Sequence, residues 1–430
     1  MKRALVLYTV VAALIASGQS ATAAAIFLIQ KEAKFGFINS SGRVLLEPQY
    51  DSVEEFSEGL AAVGADEKWG VIDTTGHVVV EPRFDGLGNF SEGLAAVQQG
   101  EKWGFIDASG RVIIQPQFDW VDEFSEGLAA VQQGEKWGFI DRAGRVVVEP
   151  RFDGRGSFHE GLAMVVADDK RGFIDRTGHI VVPPQFADNG DFSDGVAWAQ
   201  ESDSWKWGLI DRTGRFIIQP RFDGVDVFSE GLARVTQDEK DGFVEGTGRI
   251  VVEPRFESAG SFSKGLAPAQ WGGKWGFIGK DGRTVTDAQF EEVGEFSDGL
   301  ARVDKDGAWG FIDTTGRIVV EPQFDWVDDF SEGLAAARRD ETIGFIDRTG
   351  RFVVEPQFES TGAFSEGLAA VSKDEVWGFI DRTGRMVIPA AYDRVESFSG
   401  GLVEVWKYDV WGEDDWGYVD RSGRIVWSPR

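Results

Sequence analysis

Few side chains in this sequence could do acid–base or nucleophilic work, and those that could are copied many times. There are 3 histidines and no cysteine in 430 residues. His77 and His179 each follow a glycine, in a slot that holds Arg elsewhere, and His159 stands where other copies have Ser. A Ser-His-Asp arrangement needs one imidazole oriented by one carboxylate, and three substitutions in recurring slots do not describe one. The carboxylates Glu58, Glu92, Glu126, Glu230, Glu332 and Glu366 all precede Gly-Leu, and Asp73, Asp107, Asp141, Asp175 and Asp211 all open a D-x-x-G segment. Glycoside hydrolysis needs two acids in unlike environments. Equivalent copies lack that asymmetry, so these acids are read as turn-capping groups. No catalytic residue is assigned and the chain is read as not an enzyme, with a hydrolase as the third-ranked reading.

Metal and cofactor chemistry is equally thin. Without cysteine there is no zinc thiolate, iron–sulfur ligation or disulfide. Calcium would suit hard oxygen ligands, but Asp304-Lys305-Asp306-Gly307 is only a fragment of an EF-hand loop. Weak calcium binding by the acidic excess stays open, and no metal site or cofactor is expected. No phosphate-binding glycine loop occurs. Asp and Glu number 72 against 44 Lys and Arg, a net charge of −28. That excess argues against nucleic acid as a partner, because phosphates are repelled.

The positioning elements come from one repeat. Trp69-Gly70, Trp103-Gly104, Trp137-Gly138, Trp207-Gly208, Trp275-Gly276, Trp309-Gly310, Trp377-Gly378 and Trp416-Gly417 head the same frame. It also returns with the Trp replaced, at Phe35, Arg171, Asp241 and Ile343. The interval is 34 residues, except 36 before Trp207 and 39 before Trp416. A unit reads W-G-F-I-D-x-x-G-R-V-V-V-E-P-x-F-D-x-x-x-x-F-S-E-G-L-A-x-V. Eleven units are complete and a twelfth is partial. Three glycine slots account for 35 of the 55 glycines. Phe90–Asp107 and Phe124–Asp141 are identical over 18 residues, as tandem copying would leave them.

This pattern resembles the WG-repeat family, also called KWG repeats. The Lys is present before Trp69, Trp103, Trp137, Trp207 and Trp275. The resemblance covers nearly all of the chain from Phe35 onward. It implies modules of bacterial surface, secreted and conflict-related proteins that bind partners.

The local chemistry of a unit predicts strands. W-G-F-I-D and R-V-V-V are rich in aromatic and β-branched residues, and the D-x-x-G between them is a hairpin signal. The following Pro is expected to end the second strand. L-A-x-V is expected to be a third short strand, after a loop. No 3.6-residue periodicity is sustained. One unit is too small to cover its own apolar faces, so neighbours must stack. The expected fold is all-β, an open superhelical solenoid of about twelve repeats, with a closed propeller-like array as the alternative.

Residues 1–25 read as a secretory signal peptide, with Lys2 and Arg3, an apolar run over Ala4–Ala16, and small residues to Ala25. The run is too short to span a bilayer. Residues 26–430 would then be the array, outside the cytoplasm (periplasm, cell surface or secreted) and with no membrane span. The framing Trp and Phe are expected in the core. Trp120, Trp326, Trp198, Trp205, Trp271, Trp406 and Trp411 fall outside the register and are the candidate anchors for a partner. The partner is an unknown protein or glycan, and a basic one is favoured. An envelope structural or carbohydrate-binding role is the alternative.

Overall fold

The computed structural model describes residues 25–411 and 416–429. The expected signal peptide therefore lies, but for Ala25, outside the described residues. The chain divides into two compact units, Met1–Arg151 with Tyr392–Arg430, and Phe152–Ala391. Among the described residues there are 46 strands and one four-residue helix, α1 (Tyr408–Trp411). They form one three-stranded sheet, nine four-stranded sheets and one seven-stranded sheet that merges two repeats. The protein is all-β, and its repeats fit an open solenoid-like array; among the described residues no strand pairing closes a barrel.

The first sheet holds β1 (Ile26–Lys31), β2 (Lys34–Asn39) and β3 (Val44–Tyr50). The second shows the full pattern: β4 (Ser52–Val53), β5 (Leu60–Ala65), β6 (Lys68–Asp73) and β7 (Val78–Phe84), antiparallel and in that order. Here, as in eight other sheets, there are four strands where the sequence suggested three. The extra one is a two-residue pairing, Ser52 and Val53 against Gly64 and Val63, inside the stretch read as loop.

The proline does not end its strand. β7 runs through Pro82 to Phe84. Trp69 pairs with Phe84 and Val71 with Val80, so the one residue between them on β6, Gly70, faces three of β7, Glu81, Pro82 and Arg83. Pro82 sits inside this bulge, where the backbone needs no N–H for the ladder. The bulged backbone arches over Gly70. A Cβ there would lie 2.7 Å from Pro82 N and 3.0 Å from Glu81 C, and closer still to the Val80 carbonyl oxygen. That close approach is why the residue after Trp has no side chain.

Sheets pack face to face within each unit. Leu60, Val71, Val80 and Phe84 meet Phe90, Ala95, Val97 and Ile106 of the following sheet. Ala61, Val63 and Ile72 turn the other way, onto Phe37, Leu46 and Tyr50. Both faces of β5 and β6 are covered, so their buried runs are continuous rather than alternating. The framing Phe84 and Phe90 are core, 4% exposed each. The framing Trp are mostly half-buried at the sheet margin, and Trp137 is the buried one.

The two terminal sheets of the first unit also touch. Phe27, Ile29 and Ile38 pack with Leu402 and Tyr418. Phe27 pairs with Ile38 as Ala61 pairs with Ile72, so it stands in an alanine slot. At ordinary junctions the Phe of F-S-E-G sits edge-on to the Phe of the preceding W-G-F, as Phe56 does on Phe37 at 5.3 Å. No F-S-E-G precedes β1. Phe27 supplies the ring instead, edge-on to Tyr418 at 5.3 Å.

Candidate functional site

The recurring acids come first, because their partners show what they do. Asp73 Oδ1 accepts from Thr75 N (2.8 Å), the Thr75 hydroxyl (2.6 Å) and His77 N (3.0 Å). The same set recurs at Asp107, Asp211, Asp313, Asp347 and Asp381, and Asn39 makes it without a charge. The hydrogen bond from the Thr383 hydroxyl, opposed by desolvation and joined by bonds from Arg385, holds the Asp381 carboxyl down at about 2.

The Glu of S-E-G-L also works at a turn, but not its own. Ser57 and Leu60 exchange both backbone bonds across a two-residue turn. Glu58 (φ +52°) and Gly59 (φ +81°) both take left-handed conformations, as a type I′ hairpin turn requires. The N–H groups of such a pair form a small anion-binding concavity. Glu58 reaches 34 residues ahead: Oε1 accepts from Glu92 N (2.9 Å) and Oε2 from Gly93 N (2.7 Å). Glu160 does the same for Asp194 and Gly195, and Glu230 for Lys264 and Gly265. Ser57 Oγ donates to the Phe90 carbonyl (2.7 Å), and Ser91, Ser229, Ser297 and Ser331 repeat that bond. F-S-E-G is therefore the link between repeats. Its offset of one whole unit is what the sequence reading missed.

The histidines lie in this scaffold. The side chain of His77 is 74% exposed, with Nδ1 3.9 Å from Asp73 Oδ2. His159 Nε2 is 3.6 Å from Asp191 Oδ2. His179 N donates to Asp175 Oδ1. Among the described residues, no group of three or more His, Asp and Glu is placed to hold a metal ion. No helix there is long and apolar enough to cross a membrane.

Two departures from the repeat come as matched pairs. Asp241 replaces a framing Trp and is buried; Arg234 compensates it, 3.4 Å away, while bonding Asp226 Oδ2 at 2.8 Å and the Ala259 carbonyl at 2.7 Å. The hydrogen bond with Asp226 holds the Arg234 guanidinium above its ordinary value. Tyr418 replaces a Phe and donates to Glu404 Oε1 (2.8 Å), which replaces an Ala. Burial raises the Glu404 carboxyl and drives the Tyr418 hydroxyl far up. These pairs were missed too, although both members sit in variable slots of the sequence.

The seven off-register Trp sort on the same test. Trp198 is not a surface anchor: it is 7% exposed, parallel to Phe228 at 5.8 Å, and its Nε1 donates to the Asp226 carbonyl. Trp326 is half-buried against the core cluster that also takes Ile343, the residue that replaces the framing Trp of its own sheet. Trp271 is half-buried against Phe256 at 5.6 Å. Trp406 is half-buried under Arg394, 4.4 Å from the guanidinium carbon. Trp411 closes α1. Two remain. Trp120 is 49% exposed and tilts against Trp103 at 5.4 Å, although Trp137 already fills its sheet's framing slot. Trp205 is 67% exposed.

A family model described as a WG containing repeat matches eleven times, over 35–69, 69–103, 103–137, 137–170, 172–205, 207–240, 242–275, 275–307, 309–342, 343–377 and 377–411. The chain belongs to the WG-repeat family. Among curated proteins, none matches it. Three solved structures give faint likenesses. The extracellular domain of a hybrid two-component system from B. thetaiotaomicron is 10% identical, with a TM-score of 0.25, over 87% of this chain and 64% of that one. A eukaryotic initiation factor is 13% identical, with a TM-score of 0.33, over 78% and 95%. Hsv2p of Kluyveromyces lactis is 11% identical, with a TM-score of 0.27, over 55% and 93%. At such scores the likenesses carry no argument about function.

The WG repeat owes its Lys to a second ladder. Lys102 Nζ meets Asp119 Oδ1 at 2.5 Å, and Asp119 Oδ2 accepts from Gly134 N at 2.7 Å. Lys34–Asp51, Lys68–Asp85, Lys206–Asp223 and Lys274–Glu291 are the same pair. The Lys of KWG and the acid that follows the Phe thus close one corner of each of these five repeats.

Proposed function

We propose that this WG-repeat protein is an exported, non-catalytic scaffold that holds a protein partner outside the cytoplasm. The single observation behind this is Trp120, a large aromatic left half in solvent where its sheet's framing slot is already filled. Exposed Trp of this kind anchors interfaces. The commitment of the recurring acids to turns of the scaffold argues against hydrolysis. The acidic excess favours a basic partner, with binding that weakens as salt rises. The leader-like N-terminus supports export.

The test is retention of envelope proteins by the immobilised chain, released by salt, with Trp120→Ala beside the wild type. Trp120→Ala retaining the same partner equally well removes Trp120 as an anchor. Hydrolysis of an envelope polymer that disappears on changing His77, His159 or His179 overturns the non-catalytic reading.

A further inference from the structure

The turn between the strands Val196–Glu201 and Trp207–Asp211 belongs to the repeat that is two residues longer than its neighbours. Trp205 lies in it with φ +56°. Other units close the corresponding hairpin with a two-residue turn and put Glu67, Asp169, Glu239 or Glu375 in its left-handed second position. For a residue as bulky as Trp that conformation is an outlier. The indole is 67% exposed, so burial returns nothing for the strain. The backbone is nevertheless pinned on every side. Trp205 N donates to the Glu201 carbonyl (3.0 Å), and Gln200 Nε2 donates to the Trp205 carbonyl (2.9 Å). Glu201 N donates to the Lys206 carbonyl (3.0 Å), and the Ser204 hydroxyl donates to Glu201 Oε2 (2.7 Å). A strained residue that is held rigid and unburied is a feature of ligand clamps.

The charges around it define the ligand. Glu201 and Asp203 are exposed. The turn's own cation, Lys206, is engaged by Asp223. The charge left over is negative, beside an open indole face. A guanidinium or ammonium gains from both, through the ring face and the carboxylates. A neutral sugar could use the ring but would gain nothing from the net charge. We propose that the Trp205 turn is a preorganised site for an Arg or Lys side chain of a partner protein. This rests on the scaffold reading above and gives one of its anchors a definite chemistry.

The experiment uses the full chain labelled with 5-fluorotryptophan. The Trp205 resonance is identified by its loss in Trp205→Gly. The probe is a blocked octa-arginine peptide, with blocked octaglutamine and chitotetraose beside it. The Trp205 resonance shifts saturably with octa-arginine alone. Trp205→Gly lowers octa-arginine affinity three- to thirty-fold. It keeps or raises the thermal midpoint, because Gly is at ease in the left-handed region. Asp203→Asn lowers affinity by a smaller factor. Unchanged affinity in Trp205→Gly reduces the interaction to diffuse charge and overturns the proposal. So does a Trp205 resonance that answers chitotetraose but not octa-arginine, or a Trp205→Gly chain that melts well below the wild type. The scaffold reading fails separately, when the chain retains no envelope protein at all.

Discussion

Changing Gly70 to Ala tests the central claim about the repeat. The added methyl would sit 2.7 Å from Pro82 N and 3.0 Å from Glu81 C, with the Val80 carbonyl oxygen nearer still. All three are backbone atoms of one bulge, fixed by the pairs Trp69–Phe84 and Val71–Val80. No side chain can rotate away, so the cost belongs at or above the upper end of overpacking, about 3 kcal/mol. Gly59 is the control. Its φ is +81° and nothing lies within 4 Å of a Cβ there. Ala at Gly59 costs only the left-handed penalty, about 1–2 kcal/mol. Urea unfolding of both variants, with hydrogen exchange read on Lys68–Phe84, measures the difference. Gly70→Ala should lose the more stability and loosen that segment locally. Equal losses at the two positions would refute the argument that the bulge excludes a side chain.

Three other outcomes follow from the same geometry. Asp381→Asn keeps the acceptor, as Asn39 does naturally, but removes the titration. The Asp381 carboxyl is held at about 2, so its contribution is complete above its unfolded pKa near ~4 and is lost as pH falls toward 2. Acid unfolding should therefore flatten in that window in the variant, and an unchanged profile counts against it. Trp198→Ala should cost about 3–5 kcal/mol as a buried ring, whereas Trp120→Ala should stay within roughly 0.5 kcal/mol; urea midpoints decide, and a reversed order refutes the sorting of the two Trp. Phe27→Ala should raise hydrogen exchange in both Ile26–Asn39 and Leu402–Trp427, since each loses the ring between them. Loosening confined to the N-terminal strands would mean that the terminal contact carries no load.

The repeat frame was legible because its signals are local. D-x-x-G announces its own hairpin through one Asp and one Gly, and it folds as read. The proline was misread for a reason that is not local: a bulge opposite Gly70 removes the need for its N–H. The Glu of S-E-G-L was recognised as a capping group, but its target lies 34 residues away and a one-unit reading cannot see it. Among the Trp, being out of register marked a departure but not its direction. Trp326 packs on the core of its sheet and Trp198 stacks on Phe228, so both turn inward. Trp120 has no vacancy to fill and stays exposed. Telling these apart needs the residue across the sheet or in the next repeat.

The Glu58-to-Gly93 bond sets a rule for how such a gene can change. A copy that carries this acid finishes the turn of the next copy, so what is inherited as a block and what is completed in space are out of phase by one period. A deletion or duplication of whole periods leaves every carboxylate facing a bare turn, wherever the breakpoints fall. A change of a fraction of a period strands one carboxylate and one turn together. Length can therefore drift by recombination in steps of 34 residues, while the sequence at each junction stays under selection from a neighbour it does not encode.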